Sequence, residues 1–182
     1  MAVLRVFLVR PLGYTKPMRT IAAALLLVSA LPACAQDVKG AILKHLRVSK
    51  EFTLKVAEVM PAESYDFKLT PPQMSFGGQI THLSQGLDFF VSPFSGEKPG
   101  DAKPASNSKA DVIAFVKVSF DKAIARVDSI KPSQLTTAFK TEEGSQTGLD
   151  LLLGMLDHTT HHRASAEMYL RAKGITPPQY DF

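Results

Sequence analysis

Apolar residues recur at helical spacing in four stretches of the chain, and prolines and glycines separate those stretches. The first runs from about Asp37, a candidate N-cap, to Met60, with Ile42, Leu46, Phe52, Val56 and Val59 on one side. Pro61 and Pro71-Pro72 bracket a connector. The second stretch covers about Gln73 to Val91 and aligns Phe76, Ile80, Leu83, Leu87 and Phe90. A loop with Pro93, Gly96, Pro99, Gly100 and Pro104 follows. The third stretch opens at Asn107-Ser108, with Asp111 three residues after Ser108 in the manner of a capping box. It continues to about Ile130 through Val112, Phe115, Val116, Ser119, Ala123 and Val127. The fourth extends from about Thr147 to Lys173 and is closed by Gly174, with Pro177-Pro178 beyond. A short helical turn is predicted near Ser133–Phe139, and no stretch reads as a strand. Four amphipathic helices without strands predict an all-α four-helix bundle.

Charge changes the picture of the N-terminus. The 182 residues carry a formal net charge of +4. Arg5, Arg10, Lys16 and Arg19 stand in residues 1–35 with no acid, whereas 36–182 holds 17 bases and 17 acids. The basic excess therefore belongs to the leader, and the body lacks the basic face that a nucleic-acid binder needs. Met18-Arg19-Thr20, the apolar run Ile21–Leu31, Pro32 and Ala33-Cys34-Ala35 have the order of a cleavable export signal, with the mature chain beginning at Gln36. The run shows no amphipathic period, as a buried core helix would, and it is shorter than the about 20 residues needed to span a bilayer. Residues 1–35 are thus expected to be a signal peptide, with Met18 as an alternative start, and 36–182 a single bundle domain exported to the periplasm or beyond. Leu31-Pro32-Ala33-Cys34 also has the outline of a lipobox. In that alternative the protein is a lipoprotein anchored to the membrane through Cys34, its only cysteine. A lone cysteine excludes an internal disulfide and any Cys-rich zinc site.

Three of the five histidines fall in His158-Thr159-Thr160-His161-His162. At about 100° per residue, with His158 at zero, His162 lies at about 40° and His161 at about −60°. Leu151, Leu152, Met155, Ala166, Tyr169 and Leu170 occupy about 20° to 120°, and Arg163, Glu167 and Arg171 about 140° to 220°. His158 and His162 are therefore expected to face the core, His161 to sit at its edge, and Arg163, Glu167 and Arg171 to point outward. Two imidazoles one turn apart form a bidentate clamp for a metal. His82, on the apolar side of the second helix, is the natural third member. Gly78 and Gly86 flank it by one turn on either side, and glycine in a helix interior costs about 1 kcal/mol relative to alanine. Clearing space for an inward imidazole explains them, as does close approach of a neighbouring helix. The alternative for each histidine is a hydrogen-bonded core residue. His45 reads as structural or surface. The segment lacks the glutamate of HExxH, so a zincin protease is not supported.

The segments Pro61-Ala62-Glu63-Ser64-Tyr65-Asp66-Phe67-Lys68 and Ser75-Phe76-Gly77-Gly78-Gln79-Ile80-Thr81-His82-Leu83 resemble the front half of a DinB-like protein. His158-Thr159-Thr160-His161-His162-Arg163 and Tyr169–Asp181 resemble the C-terminal signature of that family. The resemblance extends over about Asp37 to Phe182. It implies an antiparallel four-helix bundle holding one divalent metal on His82, His158 and His162, the three that the helical wheel also selects. It departs from the family after Arg163, where Ala164-Ser165 replaces Gly-Gln.

Three neutral imidazoles leave an open coordination position, as in catalytic sites. Zinc is the first choice and nickel the second. The resemblance implies metal-dependent transfer of the thiol S-transferase kind, or hydrolysis, on a small-molecule substrate or thiol, in a family whose members often form homodimers, although no feature of this sequence identifies an interface. The other reading is a non-enzymatic bundle of the cell envelope that binds metal or a small ligand. Asp150, Asp157 and Glu167 lie at or beyond the edge of the inward face, so no carboxylate is assigned to support the ligands. The Tyr169 hydroxyl is either a polar group near the metal or a core hydroxyl with its own buried partner.

Overall fold

A computed structural model describes residues 18–141 and 144–180, with side chains from Val38 to Tyr180. Its elements are α1 (Met18–Val59), α2 (Phe76–Val91), α3 (Lys109–Ser129), β1 (Ala138–Thr141), β2 (Gly144–Thr147) and α4 (Gly148–Ala172). Residues 1–17, and the side chains of the expected export segment including Cys34, lie outside the description. Among the described residues no helix is long and apolar enough to cross a membrane.

Side-chain caps define three of the helix starts, and the one at Ser108 is the cap read from the sequence. Ser75 accepts the Gly78 amide with its side chain at the start of α2, and Ser108 accepts that of Asp111 at the start of α3. Thr147 and Asp150 form a reciprocal capping box on α4, each side chain satisfying the other's backbone amide. Gly174 follows α4 with φ +73°, a left-handed conformation that glycine adopts without strain. No helix starts at Asp37, because α1 already runs through that position from Met18. The second helix begins at Phe76 rather than Gln73.

α2 packs on both α3 and α4, and α1 packs on the same two helices, so α1 and α2 stand diagonally across the bundle. Residue pairs set the directions. Lys39 reaches the carbonyls of Asp128 and Ile130, Lys50 pairs with Asp121, and Lys109 reaches Glu58 and Met60, so α1 and α3 are antiparallel. Gln79 meets His162, His82 meets His158 and Phe90 lies against Gly154, so α2 and α4 are antiparallel as well. Asn107, just before α3, sits beside Gly77 at the start of α2, which makes α2 and α3 run the same way. The chain thus goes up, down, down and up. The antiparallel arrangement expected from the sequence holds within two of the four adjacent pairs. The connector after α2 has to climb back along the bundle. It does so against α2, with Gly100 N–H donating to Asp88 and the Gln85 amide donating to the Ala102 carbonyl.

The core joins Leu46, Val56, Met60, Phe76, Ile80, Leu83, Leu87, Val116, Phe120, Leu152, Met155 and Leu170, all inaccessible to solvent. Val59, expected inward, is exposed, and its neighbour Met60 is buried instead. The expected absence of strands is corrected. After a 3-10 turn at Pro132–Leu135, β1 and β2 pair antiparallel from Ala138 with Thr147 to Thr141 with Gly144. Each strand is four residues long, and only Phe139 of β1 leans on the core, against Phe94, so the alternation is too short to mark a strand in the sequence.

Candidate metal centre

His82 projects from α2, and His158 and His162 project from α4 one turn apart, and all three are half-buried. One ligand atom from each lies within 4.8 Å of the others, the one such group of potential metal ligands among the described residues. The Nε2 atoms of His82 and His158 stand 3.3 Å apart. The His162 ring centroid lies 4.5 Å from that of His82 and 4.6 Å from that of His158. Imidazole nitrogens bound at about 2.0–2.1 Å to a tetrahedral ion are separated by roughly 3.3 Å. The donor chemistry and the His82–His158 spacing therefore fit a divalent metal, and the three histidines could hold one.

The two α4 imidazoles are held in the neutral form that binds metals. Burial pushes the His162 pKa down from 6.5 to about 4, and His158, His82 and His161 push in the same direction. Burial also lowers that of His158, helped by His82 and His161. Well above pH 6.5 both rings are neutral whether the chain is folded or not. Below that value the unfolded chain takes up protons that the fold refuses, so stability falls as pH drops from about 6.5 toward 4. The urea midpoint of the metal-free protein is expected to be lower at about pH 5 than at about pH 7. A His162→Gln variant should show a smaller drop, and an unchanged drop would assign the effect to other groups.

Gly86 makes the arrangement possible. A methyl group there would overlap the imidazole of His158, so this glycine clears space for a histidine of the facing helix rather than for His82. Gly78 has no such role, since a methyl there would meet only Ser75 and Met74. Phe90 closes one side, its ring centroid 5.8 Å from that of His158. His161 is exposed at the edge, its ring set edge-on to His162, and His45 is exposed on α1.

Tyr169 follows the second of its two readings, and Arg163 departs from its expected place. The Tyr169 hydroxyl donates to the Met74 carbonyl at 2.6 Å, and its ring packs on Phe67 and Phe76, so it is a core residue with its own partner. Arg163, expected to point outward, is only 3% exposed. Its guanidinium donates to Ser49 Oγ at 2.6 Å and lies 5.1 Å and 5.2 Å from the ring centroids of Phe52 and Tyr180. The wheel misplaced it because α4 occupies a corner of the bundle. One of its flanks meets α2 and the other meets α1, so the buried arc is wider than the apolar stripe. Glu167, on the same flank, is half-buried, and burial raises its carboxyl pKa against the pull of Arg163 and Arg171.

Asp157 is exposed, and Asp150 is committed to the α4 cap. The polar partner of the cluster is one the sequence reading passed over. Gln79 places its Oε1 2.7 Å from His162 Nδ1. Its position three residues before His82, on the same side of α2, was the available signal.

A helical bundle with three clustered histidines from two facing helices defines the class of protein. The chain belongs to the DinB superfamily, whose family profile matches residues 45–166. Among solved structures it is similar to a DinB-like protein from Bacillus subtilis, at 22% identity, with 78% of this chain and 97% of that chain covered and a TM-score of 0.68. It is also similar to a DinB-like protein from Bacillus cereus, at 20% identity over 76% of this chain and 94% of that chain, with a TM-score of 0.65. At these identities the likeness is one of fold. No curated protein matches the chain.

Proposed function

We propose that His82, His158 and His162 hold one divalent metal ion, zinc or, failing that, nickel, in a protein exported by its segment 1–35. The reading rests on one observation, the convergence of three ligand atoms within 4.8 Å of one another from two different helices. When bound, such an ion supplies Lewis acidity at an open position and lowers the pKa of a water or thiol there. The protein's own part is to present neutral nitrogens, to keep the room that Gly86 leaves, and to shield one side with Phe90. This is the equipment of a metal-dependent transferase or hydrolase acting on a small molecule, with a thiol co-substrate as the leading candidate. The position of Asp150 and Asp157 away from the cluster favours a second reading, a bundle of the cell envelope that binds metal or a small ligand without turnover.

Elemental analysis tests the first step. Purified protein should contain about one equivalent of zinc or nickel, and a His82→Ala, His158→Ala, His162→Ala triple variant should contain none. Equal metal content in the two would remove the site. Turnover of an electrophile in the presence of a thiol by the loaded protein then supports the enzyme, and its absence across a panel of thiols and electrophiles supports the binder.

A further inference from the structure

We infer that Gln79 is the positioning residue of the cluster: it holds the proton of His162 on Nδ1 and so turns the free lone pair of Nε2 toward His82 and His158. The inference rests on the three-histidine reading for its purpose but on the structure's hydrogen bonding for its content. Gln79 is 9% exposed and lies one turn before His82, so a single helix carries both a member of the cluster and the group that orients another member. An amide oxygen accepts and cannot donate. At 2.7 Å from Oε1, Nδ1 must therefore be the N–H donor. A neutral imidazole with its hydrogen on Nδ1 has an unprotonated Nε2, the state a metal ligand requires.

The choice of an amide has a consequence of its own. The usual partner for a ligating histidine is a carboxylate, a backbone carbonyl or water, and a carboxylate makes the ring more basic. Here the orienting group is a side-chain amide without charge. It fixes the tautomer and brings no negative charge to the cluster. A glutamate at this position would serve the same geometry and add the charge, which makes Gln79→Glu a conservative rescue. Methionine has similar length and no strong acceptor, so Gln79→Met removes the bond while filling the space.

The test uses the full chain, labelled with 15N and free of metal, and reads the tautomer of His162 from long-range 1H–15N correlations. Wild-type protein is expected to carry the proton on Nδ1. Gln79→Met should shift the ring toward a mixture with the Nε2–H form, and Gln79→Glu should keep the proton on Nδ1. Zinc titration in parallel should show affinity lower by about 10–100-fold in Gln79→Met and recovered in Gln79→Glu. An Nε2–H ring in the wild type, or a tautomer and affinity unchanged in Gln79→Met, overturns the inference. The tautomer is measured without metal. A wild type that carries the Nδ1 proton but takes up no zinc would therefore sink the proposed function alone.

Discussion

Gly86→Ala is expected to remove metal binding while leaving the bundle folded. The added methyl would occupy the space of the His158 ring, and that ring cannot stay in place beside it. Alanine is otherwise the better helix former by about 1 kcal/mol, so the helix itself gains rather than loses. The His158 side chain must rotate out of the cluster, leaving two ligands from two helices. Loss of an outer partner alone lowers metal affinity by about 10–100-fold, and loss of a direct ligand should cost more than about 100-fold. Zinc titration followed by calorimetry measures this, with circular dichroism as the check on folding. A double-mutant cycle sharpens it: in a His158→Ala background, Gly86→Ala should have no further effect on affinity, because the group it displaces is absent. Equal losses in both backgrounds would mean that Gly86 acts on the helix and not on the imidazole.

Arg163→Ala should destabilise the bundle by about 2–4 kcal/mol, the sum of a lost charged hydrogen bond, two cation–π contacts and the void left by a long stem. All of these converge on a side chain enclosed by Ser49, Phe52 and Tyr180. Burial lowers its pKa, while nearby Tyr180 and Glu167 oppose that change. Desolvating the guanidinium offsets part of what the contacts contribute, which is why substitution by an apolar residue of similar length should be milder. Arg163→Met is therefore expected to cost less than Arg163→Ala, with Phe52 and Tyr180 still packed on the replacement. Urea unfolding of the two variants at one pH decides it. A methionine variant as unstable as the alanine one would mean that the charge, and not the filled volume, holds the C-terminal segment to α1 and α4.

Much of the fold was legible because it depends on local signals. Ser108 and Gly174 act within one turn of their own helix, so their residue types were sufficient to place them, and Thr147 marked the start of α4. Ser75 acts at the same range, but its cap was passed over for a start at Gln73. The hairpin was not legible, since four-residue strands held mainly by backbone hydrogen bonds give too short an alternation to recognise. Asp37 had the right residue type for a cap but no helix start to cap. For the site, the spacing of His158 and His162 on α4 was enough to put both on one side, and the family resemblance pointed to the same residues. Gln79 was missed because its partner is on another helix, and a wheel drawn for one helix contains no partners.

What the sequence by itself determined is the set of four helices, most of their ends, and the three histidines as candidates, because each is written in periodicity or in residues within one turn. The tertiary structure alone decided how those helices are ordered in space and which residue serves which neighbour. Placing α4 at a corner between α1 and α2 buried a charged residue that its own helix would expose. Setting α2 antiparallel to α4 gave Gly86 to His158 and Gln79 to His162. Such assignments depend on contacts between residues 76 and 83 positions apart in the chain, and no local pattern encodes them.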